Sequence, residues 1–253
     1  MTTFTIEHFG KKPELKKPIF IEGLPGIGNV GKVALDFLVE SLKAKKFATI
    51  YSDSFPNSVF VNDKNLVDLP EVALYHAKVK GKDYFFLGGD AQPVDERSCY
   101  EFCNFIFDTL KNYGCKGVVT IGGIALQKIP KTPKVFITGT DKDFIKQFKG
   151  VFSNIYGVVG PIMGVSGVTL GIAKIKKIPS ACLLAQTFGH PAYIGVKGSR
   201  EILKILDNRF KLNLEIARLS SEIEELEEDL HKRAKMVAEM SSKRKSPEAS
   251  YFG

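Results

Sequence analysis

The chain has 253 residues, 44% hydrophobic and 25% charged, which suits one globular α/β domain with a sizeable core and excludes a fibrous or wholly disordered chain. Its 36 Lys and Arg against 28 Asp and Glu give a formal net charge of +8; the basic excess sits largely near the ends, at Lys11, Lys12, Lys16, Lys17, Lys243, Arg244 and Lys245, with few aromatics interleaved, so a solvated surface is expected and a nucleic-acid partner is not. No apolar run reaches the ~18–20 residues of a membrane span, and the opening MTTFTIEHFG lacks a signal-peptide core, so a cytoplasmic protein without a membrane partner is expected.

PIFIEGL (18–24) is an apolar run of the buried-strand type, and the glycine-rich GLPGIGNVGK (23–32) follows it. NVGKVALDFLVESLKA (29–44) reads as a helix, because Val30, Val33, Ala34, Phe37, Leu38 and Leu42 recur at three- and four-residue steps. FATIYSD (47–53) is the next strand, and a strand–loop–helix–strand unit favours a parallel sheet. SVFVND (58–63) reads as a strand, and LYHAKVKGKDYFFLGGD (74–90) as two strands joined around Lys80, Gly81 and Lys82. ERSCYEFCNFIFDTLKNYG (96–114) is a helix that Gly114 ends. CKGVVTIGGIAL (115–126) and KVFITGT (134–140) are strands, and DKDFIKQF (141–148) is a short helix capped by Asp141. Residues 157–175 read as a glycine-rich loop entering a buried helix, and PSACLLAQTF (179–188) as the last core strand. The expectation is an α/β domain over residues 1–197, its mainly parallel sheet covered by helices.

From Gly198 the chain becomes helical in composition, with no further Gly or Pro until Pro247. Leu212, Ile216, Leu219, Ile223, Leu226, Leu230 and Val237 follow four-three spacing, the seam of a coiled coil. A straight helix over 199–240 would be roughly 60 Å long, too long to bury its seam within a domain of this size. It either folds back as a hairpin or gathers several copies, and the second is the expectation. Residues 198–240 are therefore read as an oligomerisation extension. Residues 241–253 read as a polar flexible tail whose SYFG tip (250–253) carries two aromatics.

The loop at 23–32 fits two nucleotide signatures at once. Gly26, Gly28 and Gly31 match the dinucleotide pattern G-x-G-x-x-G, and Asp53 ends the next strand where a ribose-binding acid belongs. Gly26 to Lys32 match the front of a phosphate-binding P-loop, but Val33 stands where a magnesium-binding hydroxyl is needed. Lys32 then reads as a solvent-facing helix residue. Asp90, Asp95 and Glu96 near GGDAQP form a possible site edge, although acids at strand-to-helix turns commonly cap helices. His190 in FGHPAY is the remaining candidate base. Cys99, Cys103, Cys115 and Cys182 form no CxxC pair and read as buried thiols. No catalytic residue, metal or cofactor is assigned.

Three segments together resemble the proteasome assembly chaperone 2 (PAC2) family in its archaeal branch: GLPGIGNVG after the first core strand, FLGGDAQP ending a later strand, and TIGGIAL after the following helix. The resemblance covers about residues 15–210. It implies a core similar to purine nucleoside phosphorylases but a non-enzymatic, ATP-independent role as a chaperone or activator of the 20S proteasome. It further implies docking on 20S α subunits through a C-terminal hydrophobic–tyrosine–any-residue tail, mapping here onto Tyr251, Phe252 and Gly253, with self-association and a paralogous chaperone subunit as further partners. Here phenylalanine stands at the penultimate position; the ring keeps the apolar contact and lacks the hydroxyl. The alternative is an enzyme that binds a nucleotide or nucleoside through Gly26, Gly28, Gly31 and Asp53.

Overall fold

The computed structural model describes residues 4–190 and 193–217. An eight-stranded sheet forms its centre. The strands are β1 (Phe4–His8), β2 (Ile19–Glu22), β3 (Lys45–Ser52), β6 (Val72–Val79), β7 (Lys82–Gly89), β8 (Gly117–Leu126), β9 (Val135–Gly139) and β10 (Ser180–Phe188). β4 (Phe60–Val61) and β5 (Val67–Asp68) form a separate two-stranded ribbon. The helices are α1 (Val30–Ser41), α2 (Glu96–Leu110), the single turn α3 (Lys142–Ile145), α4 (Gly164–Ile175) and α5 (Val196–Phe210).

The sheet order is β1-β3-β6-β7-β2-β8-β10-β9. β7, β2, β8 and β10 run parallel as neighbours, while β1, β3, β6 and β9 join through antiparallel ladders. Five of the eight strands (β3, β7, β2, β8, β10) therefore point the same way, so the expected mainly parallel sheet is a parallel centre with mixed edges. All four residues of β2, the sequence IFIE, are buried, as a strand covered on both faces requires. α1 and α5 pack together on one face, and α2 and α4 on the other.

Local rules account for most elements. The β6–β7 hairpin turns at Lys80 and Gly81, both at positive φ (48° and 75°), the geometry of a two-residue type I′ turn. α2 starts at Asp95, whose carboxylate accepts the Ser98 amide at 2.9 Å, and the 3-10 turn Lys111–Tyr113 that continues it is closed by Gly114 at φ 60°. α3 starts at Asp141, which accepts the Phe144 amide at 2.7 Å.

Two organisational expectations change. The helix after β2 leads to β3, but β3 is not beside β2: the β6–β7 hairpin inserts between them. The compact unit runs to Leu214, so the boundary expected at 197/198 falls too early. α5 buries Ile202, Leu203, Ile205, Leu206 and Phe210, and Leu212 is 3% exposed. Leu212 is therefore a core residue and is not available to an oligomer seam. Ile216 is half-buried. Leu219, Ile223, Leu226, Leu230, Val237, Tyr251, Phe252 and Gly253 lie outside the described residues.

Candidate functional site

The three glycine-bearing segments meet at one place. β7, β2 and β8 are consecutive in the sheet and parallel. GGDAQP leaves the carboxyl end of β7, GLPGIGNVG leaves that of β2, and TIGGIAL forms the carboxyl half of β8. The crevice outside the carboxyl ends of parallel strands is where open α/β sheets hold ligands.

The glycines of the 23–32 loop serve close packing. A Cβ on Gly31 would lie 2.6 Å from the Ile121 carbonyl oxygen, and one on Gly23 would lie 2.4 Å from the Gly31 oxygen. Gly28 adopts φ 60°, and a Cβ there would meet the Thr187 hydroxyl at 2.6 Å. From the other side, a Cβ on Gly123 of β8 would fall 2.3 Å from the Ile27 oxygen. The loop backbone thus lies directly on β8 and β10, and the Gly28 carbonyl accepts the Gly195 amide at 2.7 Å. Gly26 alone has open space around it.

Lys32 points to neither a phosphate cradle nor open solvent. Its amine is 3.1 Å from both Asp36 and Asp90 and donates to the Gly89 carbonyl at 3.2 Å. Burial works against its charge, but the two carboxylates outweigh it and hold its pKa above the ordinary lysine value. Lys32 therefore ties the β7 loop to α1, and the expectation of a simple solvent-facing residue is corrected. Asp53 is exposed at the end of β3. With β6 and β7 between β3 and β2, strand spacing places it about 14 Å across the sheet from the loop. It lines neither depression of the crevice. The structure does not bring Asp53 to Gly26, Gly28 and Gly31.

The acids of the GGDAQP region divide by role. Asp95 caps α2, also accepting the Ser98 hydroxyl, Asp90 pairs with Lys32, and Glu96 lies in the first turn of α2. His190 is exposed and stacks on Phe188, with centroids 5.7 Å apart. Cys99, Cys103 and Cys182 are buried and Cys115 is half-buried.

Glu22 is the residue that sequence reading passed over. It ends β2 with no exposed surface. Its carboxylate accepts the Leu24 amide at 3.0 Å and the Ser166 hydroxyl at 2.8 Å. Burial dominates these bonds and pushes its pKa up to about 7. The available signal was an acid closing an apolar strand immediately before the glycine loop. Gln92, from the AQP of the β7 loop, is a second such residue. Its amide nitrogen donates to the Pro25 carbonyl at 2.7 Å and its oxygen accepts the Val165 amide at 3.1 Å. Gln92 thereby ties the glycine loop to the first turn of α4.

These groups enclose a cavity of about 380 Å³. Ile121, Ile124, Ile162 and Leu184 supply apolar wall, and Ser166, Gln92 and Glu22 the polar side chains. A neighbouring depression of about 710 Å³ shares Pro25, Gly26, Gln92, Met163 and Gly164 with it. The Ser166 hydroxyl donates to Glu22 at 2.8 Å and also lies 3.5 Å from the Ile121 carbonyl oxygen, so it is held at the cavity wall. The cavity is thus mainly apolar, with polar groups confined to the side where β2, the β7 loop and α4 meet.

A mixed α/β sheet with these three loops side by side defines the class. Residues 20–234 match the PAC2 family, and the chain belongs to that family. Among its relatives, the Methanocaldococcus jannaschii protein MJ1210 is 30% identical over 226 residues, covering 89% of this chain and 86% of that one. Pyrococcus furiosus PbaB, described as an archaeal proteasome activator, is similar with a TM-score of 0.82 and 30% identity, over 91% of this chain and 98% of that one. Pyrococcus furiosus PbaA, described as an archaeal homolog of proteasome-assembly chaperone, shares the fold with a TM-score of 0.74 and 23% identity, over 95% of each chain.

Proposed function

We propose that this protein is a proteasome-binding chaperone or activator that works without ATP. The observation that carries the reading is family membership joined to the 30% identity and 0.82 TM-score with PbaB. The site supports it: two of the three glycines that imitate a nucleotide loop, Gly28 and Gly31, are occupied by packing, and the Lys32 amine is held by two carboxylates. In this reading Tyr251, Phe252 and Gly253 dock on the α subunits of a 20S particle. Ile216, Leu219, Ile223, Leu226, Leu230 and Val237 gather copies of the chain, so several weak tails bind together through effective concentration. A paralogous chaperone subunit is a second partner, and the cytoplasm is the place of action.

The test is stimulation of peptide hydrolysis by an archaeal-type 20S particle. The full chain raises the rate without nucleotide, and deletion of Tyr251–Gly253 abolishes the rise. Equal stimulation by the truncated chain defeats the tail as the docking element.

A second reading is favoured by one observation, the 380 Å³ cavity with its buried carboxylate at the carboxyl ends of parallel strands. It is a nucleotide- or nucleoside-binding enzyme. Calorimetric titration with NAD, ATP and nucleosides decides it, since low-micromolar binding supports this reading and its absence removes it.

A further inference from the structure

The basic charge of the described chain is uneven. Residues 127–150 carry Lys128, Lys131, Lys134, Lys142, Lys146 and Lys149 against only Asp141 and Asp143. Both aspartates are engaged locally. Asp141 caps α3, and Asp143 lies 3.3 Å from the Lys146 amine. Lys134 and Lys149 are exposed, and neither has a carboxylate partner among the described residues.

These two lysines and Lys204 of α5 line a groove of about 470 Å³, bounded by α5, the start of β9 and the 149–152 segment. Its floor is aliphatic, from the buried Val135 and Ile205, and Phe152 stands at its edge with half its surface exposed. Backbone bonds fix the walls. The Phe152 amide donates to the Val135 carbonyl at 2.9 Å, and the Ile137 amide donates to the Phe152 carbonyl at 3.0 Å. The Lys134 amide donates to the Gln186 side chain at 3.1 Å, and its carbonyl accepts the Gln186 amide at 3.0 Å. Glu201 is the one acid lining the groove among the described residues, and its carboxylate is already held by Arg200 at 3.2 Å and Lys204 at 2.9 Å. The groove is therefore preformed, with an apolar floor and two unneutralised amines on its rim.

We propose that this groove docks an acidic peptide segment of a partner protein, its carboxylates on Lys134 and Lys149 and an apolar side chain on the floor of Val135 and Ile205. Charge complementarity selects the partner: a concave surface with unpaired amines draws in anions. The aliphatic floor selects against a bare ion, because only a ligand with an apolar part gains by covering it. Lysine amines are compact charges that suit single carboxylates without a forked geometry. A nucleic acid fits less well, since the Phe152 ring on which a base would stack already carries the Lys134 amine, 5.3 Å from its centroid. The groove shares no lining residue with the crevice, and its contact is separate from that of the C-terminal tail.

Fluorescence anisotropy of the full chain tests it, with a labelled short peptide in which a phenylalanine is flanked by glutamates. Saturable binding at low salt is expected, weakening as salt screens the amines. Glutamine in place of the glutamates is expected to abolish binding, and serine in place of the phenylalanine to weaken it about tenfold. Lys149→Glu is expected to weaken binding at least about tenfold, since it sets like charges together. Lys64→Glu makes the same change in net charge at the exposed β4–β5 tip, toward the other edge of the sheet, and is expected to weaken binding less than about twofold. Removal of Tyr251–Gly253 is expected to change none of these results, which keeps this test separate from that of the docking tail. Absence of saturable peptide binding, equal weakening by Lys149→Glu and Lys64→Glu, or tighter Lys149-dependent binding of a single-stranded oligonucleotide of equal charge overturns the proposal.

Discussion

The glycine loop at 23–32 and the β4–β5 ribbon stand at the same end of the sheet and use opposite chemistry. The loop has lost side chains so that backbone can lie on backbone, with Gly31 and Gly23 each within 3 Å of a neighbouring carbonyl if given a Cβ. The ribbon keeps large side chains and leaves them in water, with Val61 and Val67 each more than 60% exposed. Glycine richness here reports dense packing of the chain on itself. Apolar exposure on that scale leaves the ribbon among the least covered parts of the described chain's apolar surface. A sequence reader sees the first as a ligand signal and the second as an ordinary strand, and the structure reverses both emphases.

Four substitutions test this contrast. The largest effect is expected from Gly123→Ala, whose Cβ falls 2.3 Å from the Ile27 backbone oxygen; a rigid backbone partner makes the loss about 2–3 kcal/mol in thermal or denaturant unfolding. A near-neutral Gly123→Ala would mean that the loop is loosely laid on β8 and would reopen it as a cradle.

Next comes Glu22→Gln. The folded carboxyl holds its proton up to about 7, against an ordinary 4.5. The native state therefore binds more protons than the unfolded chain between those values. The stability Glu22 contributes is full below pH 4.5 and is lost as pH rises through 7. Glu22→Gln is expected to flatten that decline and to exceed the wild type by about 2 kcal/mol at pH 8, with little difference at pH 4.5. An identical pH profile for the two proteins would show that the carboxylate is solvated when charged.

Lys32→Met is expected to cost about 1 kcal/mol or less, because its partners keep substantial exposure and such pairs contribute little. The same substitution should leave the affinity for 20S particles unchanged. The smallest effect belongs to Gly26→Ala. Gly26 has extended backbone and nothing within 4 Å of a Cβ, so a change within about 0.5 kcal/mol is expected. Together with Gly123→Ala it separates the packed glycines from the open one.

Much of the fold was legible because its signals are local. Lys80-Gly81 set the β6–β7 turn, Asp95 and Gly114 bounded α2, and Asp141 capped α3. Strand order was not legible, because the pairing of β3 with β6 and β1 is decided by contacts distant in sequence. That is why Asp53 looked like a ribose-binding acid. The limit of the core was missed for a related reason. The periodicity of α5 continues into the four-three spacing that begins at Leu212, and periodicity alone does not say which surface a stripe covers. Phe210 and Leu212 close the domain instead. At the crevice, the three glycine-bearing segments were visible as family markers but Glu22 was not, since burial of an acid depends on the α4 turn that brings Ser166 to it.

This PAC2-family chain is expected to meet its partner through protein contact and not through a nucleotide in the glycine loop. Co-purification of the full chain with archaeal-type 20S particles, in the absence of nucleotide, measures it directly. Retention of the full chain, loss of retention without Tyr251–Gly253, and no change on adding ATP are expected. Equal retention of both chains, or retention only with ATP, would contradict it.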